Sequence, residues 1–139
     1  MPRERTYRTE AVVIRRSDFG EADRLLTLFS ADRGKTRAIA KGARKPQSRK
    51  TGHVELFMRS KFLVAEGRDL DIVTQAEMVE AYPHLREDLV RATYASYAVE
   101  LLDRFTVDED PHGDIFDLLA LALETLDATD DPLLLARYY

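Results

Sequence analysis

The chain has 139 residues, no cysteine, 45% hydrophobic and 33% charged residues, and a formal net charge of −4. It is sized for one ordinary domain or two very small ones, and its composition is that of a soluble globular protein. The composition excludes disulfides and any cysteine-ligated zinc within the chain, no stretch nears the ~20 apolar residues of a membrane span, and no signal peptide follows Met1. The net charge hides an asymmetry. Residues 1–75 hold 17 Lys+Arg against 10 Asp+Glu, and residues 76–139 hold 4 against 15. A basic front half joined to an acidic back half points to a polyanion meeting the front.

In chain order, the first eighty residues read as strands. Thr9–Arg16 carries the run Ala11-Val12-Val13-Ile14, and Arg24–Ser30 carries Leu25-Leu26-Thr27-Leu28-Phe29. Polar turns at Asp18-Phe19-Gly20 and Ala31-Asp32-Arg33-Gly34 bound them. From Lys35 to Gly42 the chain alternates: Lys35, Arg37, Ile39 and Lys41 share one face, and Thr36, Ala38, Ala40 and Gly42 share the other. The small face suits a tight barrel interior, and the basic face suits solvent or a ligand. A fourth strand places Val54, Leu56, Met58, Phe62 and Val64 on one face and Glu55, Phe57, Arg59, Lys61 and Leu63 on the other. After the turn Glu66-Gly67-Arg68-Asp69, a fifth strand is lined by Leu70, Ile72, Thr74, Ala76 and Met78. Five short strands predict a small barrel of the OB type over residues 1–80.

Beyond Tyr82-Pro83 the period lengthens. Val90, Tyr94, Tyr97, Leu101 and Phe105 recur at steps of three and four beside Leu85, Leu89 and Leu102, predicting a buried helix. Asp108–Gly113 reads as a loop, Asp114 as the cap of a second helix over Ile115–Leu126, and Asp131-Pro132 as the start of a third. The expected fold class is thus α+β, with a helical domain over 81–139. A helix cut after two turns, ending on Tyr138-Tyr139, reads as a truncation.

Chemistry points to binding. Lys41-Gly42-Ala43-Arg44-Lys45-Pro46-Gln47-Ser48-Arg49-Lys50 holds five cations and no acid. Cations on a loop reach phosphates by releasing condensed counterions, without reading sequence; the bland alternative is a solvated surface loop. Lys35, Arg37, Arg59 and Lys61 join the candidates because strand alternation aims each pair at one face. Phe57, sharing a face with Arg59 and Lys61, is the candidate for base stacking, with Phe19 second; core packing is the competing reading for Phe57. Arg24 either touches DNA or pairs with a neighbouring acid. Asp108, Glu109, Asp110, His112 and Asp114 match no metal loop and read as a solvated loop with a helix cap. His53, His84 and His112 sit in no catalytic or metal-ligand pattern, and Gly34-Lys35-Thr36 lacks the upstream glycine of a phosphate loop. No enzymatic activity, catalytic residue, metal or cofactor is expected.

Val12-Val13-Ile14-Arg15, Gly20-Glu21-Ala22-Asp23-Arg24-Leu25-Leu26-Thr27-Leu28-Phe29-Ser30, Gly34-Lys35 and Ala40-Lys41-Gly42-Ala43-Arg44 resemble the N-terminal domain of the RecO family of bacterial recombination mediators. Thr74-Gln75-Ala76-Glu77 and Leu135-Ala136-Arg137-Tyr138-Tyr139 extend the resemblance over essentially the whole chain. It implies an OB-fold followed by a helical domain. It also implies a cytoplasmic, nucleoid-associated protein that binds single- and double-stranded DNA, anneals complementary strands, and works with RecR and single-strand-binding protein to load RecA. Many members continue into a four-cysteine zinc module, from which this cysteine-free chain departs. For an acidic, apolar partner tail, Arg91, Arg104 and Arg137 are the cations available in the helical half. The rival expectation is a protein-interaction module in which the acidic, apolar helices dock a partner and the barrel is a scaffold.

Overall fold

A computed structural model describes residues 5–44 and 54–132. Five strands, β1 (Thr6–Phe19), β2 (Asp23–Ser30), β3 (Gly34–Ala40), β4 (Arg59–Ala65) and β5 (Asp71–Glu80), close into a barrel in the order β1-β2-β3-β5-β4. Three helices follow: α1 (Pro83–Glu87), α2 (Leu89–Phe105) and α3 (Gly113–Ala128). The architecture is the α+β one expected, an OB-type barrel with helices after it.

Closure depends on one long strand. β1 pairs with β4 through Thr6–Val12 and with β2 through Ala11–Phe19. A register shift between Val13 and Arg15 turns it from one wall to the other, as a bulge does. That bulge explains why β1 is longer than the Thr9–Arg16 run. The opposite seam is short: β3 and β5 are parallel and paired only over Ala38–Ala40 with Asp71–Val73. The small face of β3 does its expected work there, since Ala38 and Ala40 are buried in an interior shared with Ala11, Val13, Leu26, Leu28, Phe62, Val64 and Val73.

The sequence pattern misplaced the start of β4. Val54–Met58 is not strand; β4 begins at Arg59. Phe57 takes a left-handed backbone (φ 70°), which costs a bulky residue free energy, and two interactions hold it there. Its N–H donates to Val13 O at 2.8 Å, and its ring is only 2% exposed.

A second core joins barrel to helices. Val12, Phe29 and Phe57 meet Leu85, Ala95, Val99, Phe116, Leu119, Leu123 and Leu126. Burying a side chain such as Phe29 contributes about 1.5–3 kcal/mol. The buried face of α2 is Ala95, Ala98 and Val99, not the stripe of larger residues: Val90, Tyr97 and Phe105 are exposed. Those small residues face the core that α2 shares with α3 and the barrel. Asp88 caps α2 by accepting from Val90 N–H at 3.0 Å. α3 starts one residue before Asp114, which lies in its first turn, with His112 at the cap position. Of the third expected helix, Pro132 is helical after Asp131, and residues 133–139 lie outside the described residues.

Candidate nucleic-acid interface

The outer face of β1–β2–β3 is ordered in rows. Pairing sets Val12, Phe29 and Lys35 side by side, then Arg15, Thr27 and Arg37, then Ser17, Leu25 and Ile39, with Phe19 opposite Asp23 beyond. Successive rows differ by two residues on β2 and β3, so their side chains share a side of the sheet. The first row lies under the helices: Val12 and Phe29 are fully buried. The rest is open. Arg37 and Lys41 are exposed, Leu25 and Ile39 are half-buried, and Phe19 is 41% exposed. An apolar floor with an aromatic at one end and cations along it is the construction of a single-strand platform.

Lys35, grouped with Arg37 and Lys41 by alternation, is removed from this platform. Its side chain is 8% exposed, and Nζ donates to Asp103 Oδ1 and Asp103 O at 2.9 Å and to Thr106 O at 3.0 Å. It ties the barrel to the C-terminal end of α2, where unpaired carbonyls and the helix dipole favour a cation. Beside it, Glu109 N–H donates to Lys35 O at 2.9 Å, and Gly34 has φ 68°. A Cβ on Gly34 would stand 2.4 Å from Asp110 O, so this junction admits only glycine.

Arg44 is also occupied. It pairs with Asp18 at 2.8 Å and donates to Gly20 O and Glu21 O, while its own N–H donates to Ala22 O at 3.0 Å. Asp23 Oδ1 accepts from Gly42 N–H at 2.8 Å. The Gly20–Arg24 and Lys41–Arg44 blocks of the sequence are therefore clasped to each other, which sets the β1–β2 turn against the segment that follows β3. Lys45, Arg49 and Lys50 lie outside the described residues.

Other candidates land elsewhere. Phe57 is in the core rather than on the face of Arg59 and Lys61. Arg59 is half-buried, its Nε carries no partner, and its charge is felt at Tyr82, whose hydroxyl burial pushes above the usual tyrosine range. Lys61 is exposed but belongs to the β1–β4–β5 wall, between Glu10 and Glu77 on its neighbouring strands. Arg24 pairs with Glu55 at 3.4 Å, and Arg16 pairs with the same carboxylate. In the helical half, Arg91 binds Asp88 at 3.0 Å and donates to Leu126 O at 2.5 Å, closing α2 on the end of α3. Arg104 is exposed in a one-turn pair with Glu100 at 3.1 Å. Arg137 lies outside the described residues. Arg15, which no strand pattern singled out, stands on the platform, pairing with Asp103 at 2.7 Å and Glu100 at 3.6 Å. Its cue was its place opposite Thr27, which only the register supplies.

Among the described residues, no group of three or more His, Asp or Glu is placed to hold a metal ion, and no helix is long and apolar enough to cross a membrane. A family model for the N-terminal part of recombination protein O matches residues 2–82, and one for its C-terminal part matches residues 86–139. Among curated relatives, DNA repair protein RecO of Pelotomaculum thermopropionicum is 46% identical over 133 residues, which are 96% of this chain and 52% of the relative. RecO of Desulforamulus reducens is 40% identical over 132 residues, 95% of this chain and 52% of the relative. RecO of a Roseiflexus species is 47% identical over 126 residues, 91% and 44% respectively. The chain thus spans about half the length of these relatives. With motifs clasped in space, an OB-type barrel and two matching family models, the chain belongs to the RecO family.

Proposed function

We propose that this chain acts in DNA repair and recombination by binding DNA on the open outer face of β1–β2–β3, without bond chemistry of its own. The observation that carries the reading is the row order of that face: Phe19, Leu25 and Ile39 form a floor, and Arg37 and Lys41 stand exposed beside it. Bases stack on such a floor while cations neutralise the backbone, and neither contact reads sequence. Held against one cationic surface, two strands repel each other less, and that is the proposed route to annealing. Such binding calls on no cofactor. The relatives' printed name, DNA repair protein, supports the setting. The proposed role extends, as membership of the family implies, to work beside RecR and single-strand-binding protein and to loading of RecA in the bacterial cytoplasm.

The second reading is a protein-interaction module. Leu89, Tyr97, Phe105, Leu118 and Leu121 are exposed on α2 and α3, and apolar side chains of that size on helices favour a protein partner. A salt titration of oligonucleotide anisotropy separates the two. Binding by about five phosphate contacts gives a log–log slope of roughly −3 to −4. A slope near zero from low to moderate salt rejects the DNA platform and leaves the interaction module.

A further inference from the structure

Carboxylates of the helical half reach onto the platform. Asp103 binds Arg15 through Oδ2 at 2.7 Å and Lys35 through Oδ1 at 2.9 Å, bridging β1 and β3. Glu100 sits 3.6 Å from Arg15, and Asp108 sits 4.0 Å from Arg37 and 3.9 Å from Lys35. Every cation at the helix end of the β1–β2–β3 face therefore has a carboxylate of the same chain beside it. The acids come from one short stretch, Glu100 to Asp108, at the end of α2 and just after it.

We infer that this stretch is a built-in competitor for the polyanion. Resting on the proposed DNA reading, it holds Arg15 and Arg37 against intramolecular carboxylates, lowers the affinity of the platform, and confines a bound strand to the Phe19–Lys41 end. The contacts divide into two kinds. The Lys35–Asp103 contact is buried and structural. The Arg15–Glu100 and Arg37–Asp108 contacts are solvent-exposed, with side chains 48–59% accessible, so phosphate can displace them. Exposed pairs are weak, which makes them exchangeable rather than locking.

The test compares two double variants of the 139-residue chain that change net charge equally. Glu100→Gln with Asp108→Asn opens the Arg37 pair and removes the longer of the two Arg15 contacts, while leaving Asp103 to hold Lys35 and, at 2.7 Å, Arg15. Asp117→Asn with Glu124→Gln removes two exposed charges on α3 that make no ion pair with Arg15, Lys35 or Arg37. Anisotropy with a single-stranded oligonucleotide is read over a salt series, with circular dichroism to establish folding. The change should tighten binding by about two- to fivefold for each exposed pair opened. It should also steepen the slope by about 0.7 for each new phosphate contact. The α3 variant should change affinity less and leave the slope alone. Equal affinity and equal slope in the two variants overturn the competitor. Wild-type chain that shows no salt-dependent binding overturns the DNA reading instead. Asp108→Asn alone, a near-isosteric change at an exposed carboxylate, gives the same comparison for Arg37 should the double variant fold poorly.

Discussion

The two ends of the outer β1–β2–β3 face are built from the same strands and carry the same residue types, yet one is closed and the other open. At the helix end, Phe29 is buried under α2 and α3, and Lys35 is spent on Asp103 and Thr106. At the turn end, Phe19 and Lys41 remain accessible beside Leu25 and Ile39, while Arg37, though exposed, has Asp108 4.0 Å away. Lys41 lies six positions beyond Lys35, in the turn that follows β3, and the chain itself holds Lys35 with a carboxylate and two carbonyls. A cation can meet a polyanion only where the fold leaves it exposed to solvent.

The largest effect should come from the closed side. Phe57→Ala should lower stability by about 3–5 kcal/mol, because it empties a packed site beneath α3 without relieving the backbone. Urea unfolding measures it, and a loss under about 1 kcal/mol would mean that Phe57 does not hold the barrel to the helices. Lys35→Met should cost somewhat less, about 2–4 kcal/mol, by leaving Asp103 and two carbonyls at the α2 terminus short of a donor. Affinity for oligonucleotide, measured well below its melting temperature, should stay near wild type. A large loss of affinity in folded Lys35→Met would return that residue to the binding face.

Changes at the open end should do the reverse. Phe19→Ala should weaken single-strand binding by about 1–3 kcal/mol, the worth of one base–aromatic stack, and weaken duplex binding less. Equal losses on both would show that Phe19 shapes the turn rather than stacking. Lys41→Ala should flatten the single-strand salt slope by about 0.7, the value of one phosphate, and Arg37→Ala, beside Asp108, by less. Stability should move by no more than about 0.5 kcal/mol, as for exposed sites. An unchanged slope would move the strand off the platform, towards residues 45–50. Smallest of all, Arg104→Ala should cost about 0.3–0.5 kcal/mol of stability, the value of one exposed helical pair with Glu100. Chemical-shift mapping with an acidic, apolar peptide should leave Arg91 and Arg104 unperturbed, since each already has an acid beside it.

Alternation and period determined a good deal by themselves. Ala38 and Ala40 read as interior because only small side chains fit where β3 meets the barrel axis, and they lie there. The change from a period of two to one of three and four marked where strands give way to helices near Tyr82. The charge split was legible because charge is additive along a sequence. What the tertiary structure alone decided was which members of each pattern are taken. The stripe Val90, Tyr97 and Phe105 looks like a helix core, but Ala95, Ala98 and Val99 face the core that α2 shares with α3 and the barrel. Phe57 fits a strand face on paper, yet a left-handed turn carries it into the core. Lys35 and Lys41 are equivalent in period, and Arg15 is anonymous until register sets it opposite Thr27 and packing sets it beside Asp103. Periodicity fixes the side on which a residue projects, because backbone geometry is local. Its partner is fixed by residues sixty and more positions away, and only the folded chain brings those within hydrogen-bond distance.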